Sequence, residues 1–354
     1  LFVSRAFPPV LGGIEQQNAD LARFVGAECE LTLIAHRHGK RFLPFFYPWA
    51  ILRTLMLLPR HDVLLLGDGV LALLGVIAKY CYPKKSVVSV LHGLDITYRS
   101  GLYQWLWVRG AFRRLDGAIA VSHATKDEAV RRGFDESKIF VIPNGIESAR
   151  FQFTKDRTKL STILKFDTSQ AIVLLTIGRL VKRKGAAWFI RHVLPLLPND
   201  FHSAVAGSGP EEVAIRDAVA ASGTAERVHL LGRVEDATRE ILLGNSDVFV
   251  QPNIPVAGDM EGFGIAVIEA SAAGLPVAAS RLEGLADAVS DGENGQLVRP
   301  EHASAFAEAL ISLHDKEARV AAGLRGQTFT REHFDWSVIG RRYTALLEDF
   351  MKSV

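Results

Sequence analysis

The sequence predicts an α/β chain built from two doubly wound, Rossmann-like domains. Short apolar runs alternate with helical patterns from end to end, the rhythm of a parallel sheet flanked by helices. These runs fall into two series separated by a polar stretch, and 354 residues is long for a single core.

The first series comprises residues 1–3, 31–35, 63–66, 86–91, 117–121 and 139–142. A polar stretch at 148–162 reads as a hinge, and the second series follows at 171–177, 203–206, 228–231, 248–251 and 276–279. The expected domains are therefore 1–150 and 151–335, with a last helix in 336–354 that crosses back onto the first. Ligands of such domains bind at the carboxyl ends of the strands, so a ligand is expected in a cleft that the two domains face. The chain opens inside a strand pattern at Leu1-Phe2-Val3-Ser4 without a Met, and a few residues are expected to precede it. No signal peptide is visible.

Hydrophobic residues make up 48% of the chain and mean hydropathy is +0.15, high for a soluble protein, which raises the question of membrane contact. Residues 69–78 are apolar but too short to span a bilayer. Residues 42–59 carry one charge, Arg53, but prolines interrupt both ends, so a buried helix is expected. Between 102 and 115, Leu102, Trp105, Leu106, Phe112 and Leu115 keep helical spacing, and Arg109, Arg113 and Arg114 add charge. That segment is either an ordinary surface helix or a peripheral contact with an anionic membrane. Cys29 and Cys81 lack metal-ligand spacing and sit in apolar surroundings, which predicts buried thiols in a reducing, cytoplasmic compartment.

Net charge is only +2, unevenly spread: residues 1–150 hold 19 Lys/Arg against 13 Asp/Glu, the remainder 22 against 26. A basic first half points to an anionic partner. Without a dense basic run or a recognition motif, that partner is not nucleic acid.

Several strand ends carry candidate chemistry. Gly12 and Gly13 stand at the first strand-to-helix turn, where backbone N–H groups either approach a ligand or merely close a turn. The pattern is not G-x-G-x-x-G, so a nicotinamide cofactor is not indicated. His92, with Gly93 and Asp95 after it, follows the run 86–91 and either hydrogen-bonds a hydroxyl or carries a proton, or merely caps its loop. Arg179 leaves the strongest strand of the second series, and Lys184-Gly185 follows; two fixed cations there neutralise a diphosphate, unless they form a solvated turn. Gly207-Ser-Gly-Pro-Glu-Glu212 is a further Gly-rich loop, and Pro143-Asn144-Gly145 reads as a structural turn.

The most informative stretch is residues 261–269, where Glu261 and Glu269 flank Gly262-Phe263-Gly264-Ile265. A helix starting near Ile265 and ending at Gly274 and Pro276 offers free N–H groups and a positive dipole end to a phosphate. Glu269, about one turn in, reaches for a sugar hydroxyl nearby.

Together, Glu-x7-Glu, Gly-Arg-Leu-x3-Lys-Gly, Gly-Ser-Gly-Pro, Pro-Asn-Gly-Ile and the early Gly-Gly resemble the retaining glycosyltransferases of family 4, of GT-B fold, over nearly the whole chain. The resemblance implies that Arg179 and Lys184 bind the donor diphosphate and that Glu269 holds the ribose. It implies that Glu261 faces the donor sugar, that the backbone of Phe263, Gly264 and Ile265 meets phosphate or sugar, and that His92 contacts the sugar. Gly12 and Gly13 would lie near phosphate or acceptor, and Val234 beside the base. His92, Arg179, Lys184 and Glu261 are thereby the candidate catalytic groups. The donor would be a UDP- or GDP-linked sugar, with no cofactor and no metal. The acceptor would be a glycan or lipid-linked intermediate of cell-surface assembly, reached at the inner face of the membrane. Where the family often has Gly-Gly before an acid, this chain has Leu282-Glu283-Gly284-Leu-Ala-Asp287. Rival expectations are a nucleotide-sugar epimerase or a phosphorylase on the same fold, and a non-catalytic nucleotide-sugar-binding protein.

Overall fold

The computed structural model describes residues 1–10, 12–98 and 100–352. The chain divides into two compact units. One takes Leu1–Ile146, Gly258–Phe263 and the chain from Phe334 onward; the other takes Glu147–Ala257 and Gly264–His333.

The first unit holds a parallel sheet of β1 (Phe2–Ser4), β2 (Leu33–Ala35), β3 (Val63–Leu66), β4 (Ser86–Leu91), β5 (Gly117–Ala120) and β6 (Ile139–Val141) in the order β2-β1-β3-β4-β5-β6. Every residue of β3, β4 and β5 is buried, which is why their sequences are continuous apolar runs and not alternating ones. Helices α1 (Gly13–Val25), α2 (Leu43–Leu57) and α3 (Ala72–Cys81) follow the first three strands. The core packs Leu64, Leu66, Leu74, Leu91 and Phe112. Strand order reverses between β1 and β3, and the loops leaving their carboxyl ends carry Arg5 and Asp68.

The second unit holds β7 (Ile172–Ile177), β8 (Phe201–Ala206), β9 (Val228–Gly232), β10 (Val248–Gln251), β11 (Val277–Ser280) and β12 (Gln296–Val298), in the order β12-β11-β10-β7-β8-β9. This is the doubly wound order of dinucleotide-binding domains, with its reversal between β7 and β10. Phe189, Leu194, Phe201, Val250 and Phe306 fill its core. The helix Ile265–Ala272 runs from β10 toward β11 and stops short of Gly274, whose φ of 81° ends it.

Three expectations are corrected. Cys29 and Cys81 are free and exposed, because one follows the last turn of α1 and the other closes α3 on its outer side. Residues 42–59 are not a buried helix: α2 buries only Phe46, Ala50 and Thr54, packs Leu43, Tyr47, Ile51 and Leu57 partly against the core, and turns Phe45, Trp49, Leu52 and Met56 outward. The segment 102–115 is not one regular helix. It is wound wide, i to i+5, across Gln104–Ala111 and tight across Phe112–Arg114, and it buries Phe112 and Leu115 while exposing Leu102 and Trp105. Among the described residues, no helix is long and apolar enough to cross a membrane.

The last helix, Trp336–Lys352, packs on the first unit. Trp336 is 2% exposed, stacks on Phe24 with ring centroids 5.9 Å apart, and lies over Gly145. Farther along, the carbonyl of Phe350 accepts from Ser86 Oγ at 2.9 Å. Urea unfolding of Trp336→Ala is expected to show a loss of about 3–5 kcal/mol. A loss below about 1 kcal/mol would mean that other contacts hold this helix in place.

Candidate functional site

In the first unit the groups gather where β4 ends. The buried carboxylate of Asp95 accepts the N–H of His92 on both oxygens, at 3.0 and 3.1 Å, and the N–H of Gly69 at 3.0 Å. His92 Nε2 lies 3.0 Å from the carbonyl of Gly67, so that nitrogen carries the proton. Behind it Asp68 is fully buried, with Arg5 Nε 3.0 and 2.9 Å from its two oxygens. Burial pushes the Asp68 carboxyl up, Arg5 pulls it down and the neighbouring Asp95 adds to the rise; the net direction is up.

Glu261, Gly262 and Phe263 join this group from the far side of the sequence. Gly262 packs so closely on the carbonyl of His92 that a Cβ there would collide with it, and Thr125 Oγ1 lies 3.5 Å from the Gly262 carbonyl. Glu261 is buried, and Phe263 meets Phe334 edge to face at 5.7 Å. His92 and Glu261 are therefore brought to the same place. Gly12 and Gly13 start α1 on the same unit, where the Glu15 carboxylate folds over Gly12 and complements the helix dipole. Leu11, in the run before them, lies outside the described residues.

In the second unit, backbone hydrogen bonds lace three loops together. Gly178 N donates to Ala206 O at 3.0 Å, Leu180 N to Ser208 O at 3.0 Å, Glu211 N to Leu180 O at 3.1 Å and Gly207 N to Gly232 O at 2.7 Å. Leu180 is buried in this lacing, and Arg179 beside it is exposed. The turn Lys182–Lys184 ends at Gly185, whose φ of 67° and contact with the carbonyl of Pro252 both exclude a side chain. Ile254 N donates to Arg183 O at 2.9 Å, which fastens the same turn to the chain leaving β10. Arg179 and Lys184 thus stand on a loop at the β7/β10 reversal.

The helix Ile265–Ala272 begins at Gly264 in the left-handed region, φ 96°, and has no side-chain cap. Its first turn presents N–H groups and the positive end of the dipole. Glu269 is partly buried and paired with Arg239 Nη2, from the helix Asp236–Asn245. Burial pushes the Glu269 carboxyl up and Arg239 draws it back, leaving it above its ordinary value. Val234, partly buried, lies between β9 and that helix. The 261–269 stretch is divided between the units after Phe263, so Glu261 is grouped with His92 and Glu269 with Arg179 and Lys184.

Sequence reasoning missed Arg5, Asp68 and Arg239. Asp68 had a usable signal, since it follows Gly67 directly after the apolar run 63–66. Arg239 had none, because its partner lies 30 positions away on another helix.

Residues 171–316 match the family model described as "Glycosyl transferases group 1", and residues 11–150 match the one described as "Glycosyltransferase Family 4". The chain belongs to glycosyltransferase family 4. A GDP-mannose-dependent alpha-(1-6)-phosphatidylinositol monomannoside mannosyltransferase of Mycolicibacterium smegmatis is 29% identical over 383 residues, covering 98% of this chain and 97% of that protein. A lipopolysaccharide core biosynthesis mannosyltransferase of Rhizobium meliloti is 29% identical over 259 residues, covering 70% and 69%. HepE of Anabaena, solved with UDP, matches this glycosyltransferase with a TM-score of 0.78 at 18% identity, covering 98% of this chain and 99% of that one. Sucrose-phosphate synthase of Thermosynechococcus elongatus gives 0.77 at 18% identity, covering 100% and 99%. Both likenesses are of fold, and the fold is GT-B.

The Arg239–Glu269 pair yields a pH-dependent expectation for this glycosyltransferase. Arg239→Ala leaves a partly buried carboxylate without its cation and is expected to cost about 3 kcal/mol at neutral pH. Glu269 already titrates above its ordinary 4.5, and losing Arg239 raises it further. The penalty should be full at pH above the variant's raised value, shrink as pH falls through the two raised values, and be gone by that ordinary value, where the carboxyl is protonated in both folded proteins. Urea curves of both proteins across pH check this; a constant difference would contradict it.

Proposed function

We propose that this enzyme transfers a hexose from a nucleoside-diphosphate sugar to a hydroxyl acceptor, with retention and without a metal ion. The observation that carries the reading is the position of Arg179 and Lys184 on the loop where the second sheet reverses its strand order. Open α/β sheets take nucleotides at that place.

In this reading Arg179 and Lys184 meet the diphosphate, and the first turn of the helix Ile265–Ala272 adds N–H groups. Glu269, oriented by Arg239, accepts from the ribose hydroxyls, and Val234 lies beside the base. Glu261 and His92 hold the sugar, while Gly12 and Gly13 lie near the phosphates or the acceptor. The bond between the anomeric carbon and the phosphate oxygen breaks as the acceptor oxygen bonds to the same face. The acceptor's proton passes to the departing phosphate oxygen. Charge grows on the diphosphate during this step, and fixed cations stabilise it without reorganising. No carboxylate nucleophile is required, which leaves Glu261 to the sugar hydroxyls.

The curated relatives with mannosyltransferase names support a hexose donor, and GDP-mannose is the first to test, with UDP-sugars beside it. Their names also support a lipid-linked or cell-surface glycan acceptor. The reading places the enzyme in the cytoplasm, in peripheral contact with the inner face of an anionic membrane.

Arg179→Ala and Glu261→Ala are each expected to lower transfer at least about a hundredfold, the usual scale for losing one preorganised charge partner. Radiolabelled sugar nucleotides offered to membrane extracts measure this, and circular dichroism confirms the fold. Near-wild-type turnover in either variant would sink the assignment. Product analysis separates transfer from epimerisation or simple binding.

A further inference from the structure

Helix α2 is apolar on both sides. Phe46, Ala50 and Thr54 face the core. On the other side Phe45, Trp49, Leu52 and Met56 are 77, 48, 59 and 60% exposed. Their 4-3-4 spacing keeps them on one stripe about 16 Å long. Helices that are apolar all round are ordinarily buried, and exposed apolar residues ordinarily stand singly, so a continuous outward row calls for a cover.

A second row lies beside it. Leu102 and Trp105 are exposed on the neighbouring segment. Tyr47 Oη from α2 and Trp107 Nε1 from that segment both donate to the carbonyl of Val70, at 3.0 and 2.9 Å. One oxygen thus fixes the two segments side by side.

Charge identifies the cover. Residues 31–61 contain Arg37, Lys40, Arg41, Arg53 and Arg60 but no Asp or Glu, in a chain whose net charge is only +2. Residues 96–115 contain Arg99, Arg109, Arg113 and Arg114 and again no acid. Arg41, in the turn just before α2, and Arg53, next to Leu52, are both exposed. Arg113 is occupied elsewhere, donating to the carbonyl of Arg132 at 3.0 Å, so α2 and not the end of the 102–115 segment carries the contact. Exposed rings and aliphatic side chains on two stretches that carry Arg and Lys and no Asp or Glu match the headgroup boundary of an anionic bilayer.

We propose that α2 is a membrane-docking helix, inserting Phe45, Trp49, Leu52 and Met56 into an anionic phospholipid surface, with Leu102 and Trp105 alongside. The inference rests on the peripheral-contact part of the function proposed above and is independent of the donor chemistry.

Cosedimentation of the full chain with phosphatidylglycerol–phosphatidylcholine vesicles, against phosphatidylcholine alone, tests it. Wild type should sediment with the anionic vesicles only. Phe45→Ser/Trp49→Ser should bind at least about tenfold more weakly. Arg41→Glu/Arg53→Glu should lose the preference for anionic lipid. Thermal stabilisation by GDP or UDP, read on the same samples, shows that each variant is folded and that the donor site is intact. Unchanged sedimentation of Phe45→Ser/Trp49→Ser, or wild type that stays in the supernatant, would overturn the proposal. So would a wild-type dimer in gel filtration that the same substitutions make monomeric, since the cover would then be a second copy. If vesicles bind as described but no nucleotide stabilises the protein, the donor reading fails and the docking helix stands.

Discussion

Backbone meeting backbone, with no room for a Cβ, is the constraint on which both candidate sites depend. Gly262 lies against the carbonyl of His92, just past the end of β4, and that approach brings its neighbour Glu261 to the same strand end. Gly185 lies against the carbonyl of Pro252 in a left-handed turn, and only that turn brings Lys184 to the reversal between β7 and β10. Side chains at either position would push the loops apart, and the charges they carry would move with them. Close approach of loops at strand ends is what turns a parallel sheet into a binding surface.

Buried charge is the second theme. Asp68 and Asp95 sit behind His92, one held by Arg5 and the other filled by backbone N–H groups. Glu269 is held by Arg239 in the same way. A carboxylate taken out of water is tolerated only when its lone pairs are satisfied, so each pair stiffens the loop that bears it. That stiffness is what a site needs in order to meet developing charge without rearranging.

The sheets were legible because parallel strands are written as short apolar-rich runs, continuous in the fully buried β3 and β5, and eleven of the twelve described strands fall in such runs. The twelfth, β12, is three residues long, opens on the polar Gln296 and lies at a sheet edge, so it leaves no such run. Arg179, Lys184, His92 and the 261–269 stretch were legible because strand ends, glycines and charges stand next to one another in the chain. The pairing of Arg239 with Glu269 and the seating of Gly262 on His92 were not, because they join residues far apart in sequence. Composition marked α2 as apolar, but periodicity does not say which side of an apolar helix the core leaves uncovered.

The central claim is that a nucleoside diphosphate binds on the loops leaving β7, β8 and β10. Amide hydrogen exchange of the full chain with and without GDP or UDP tests it most directly. The account predicts slowed exchange concentrated at residues 178–185, 207–212 and 264–270, with the rest of the second unit little changed. Protection confined to other segments, or none at saturating nucleotide, would contradict it.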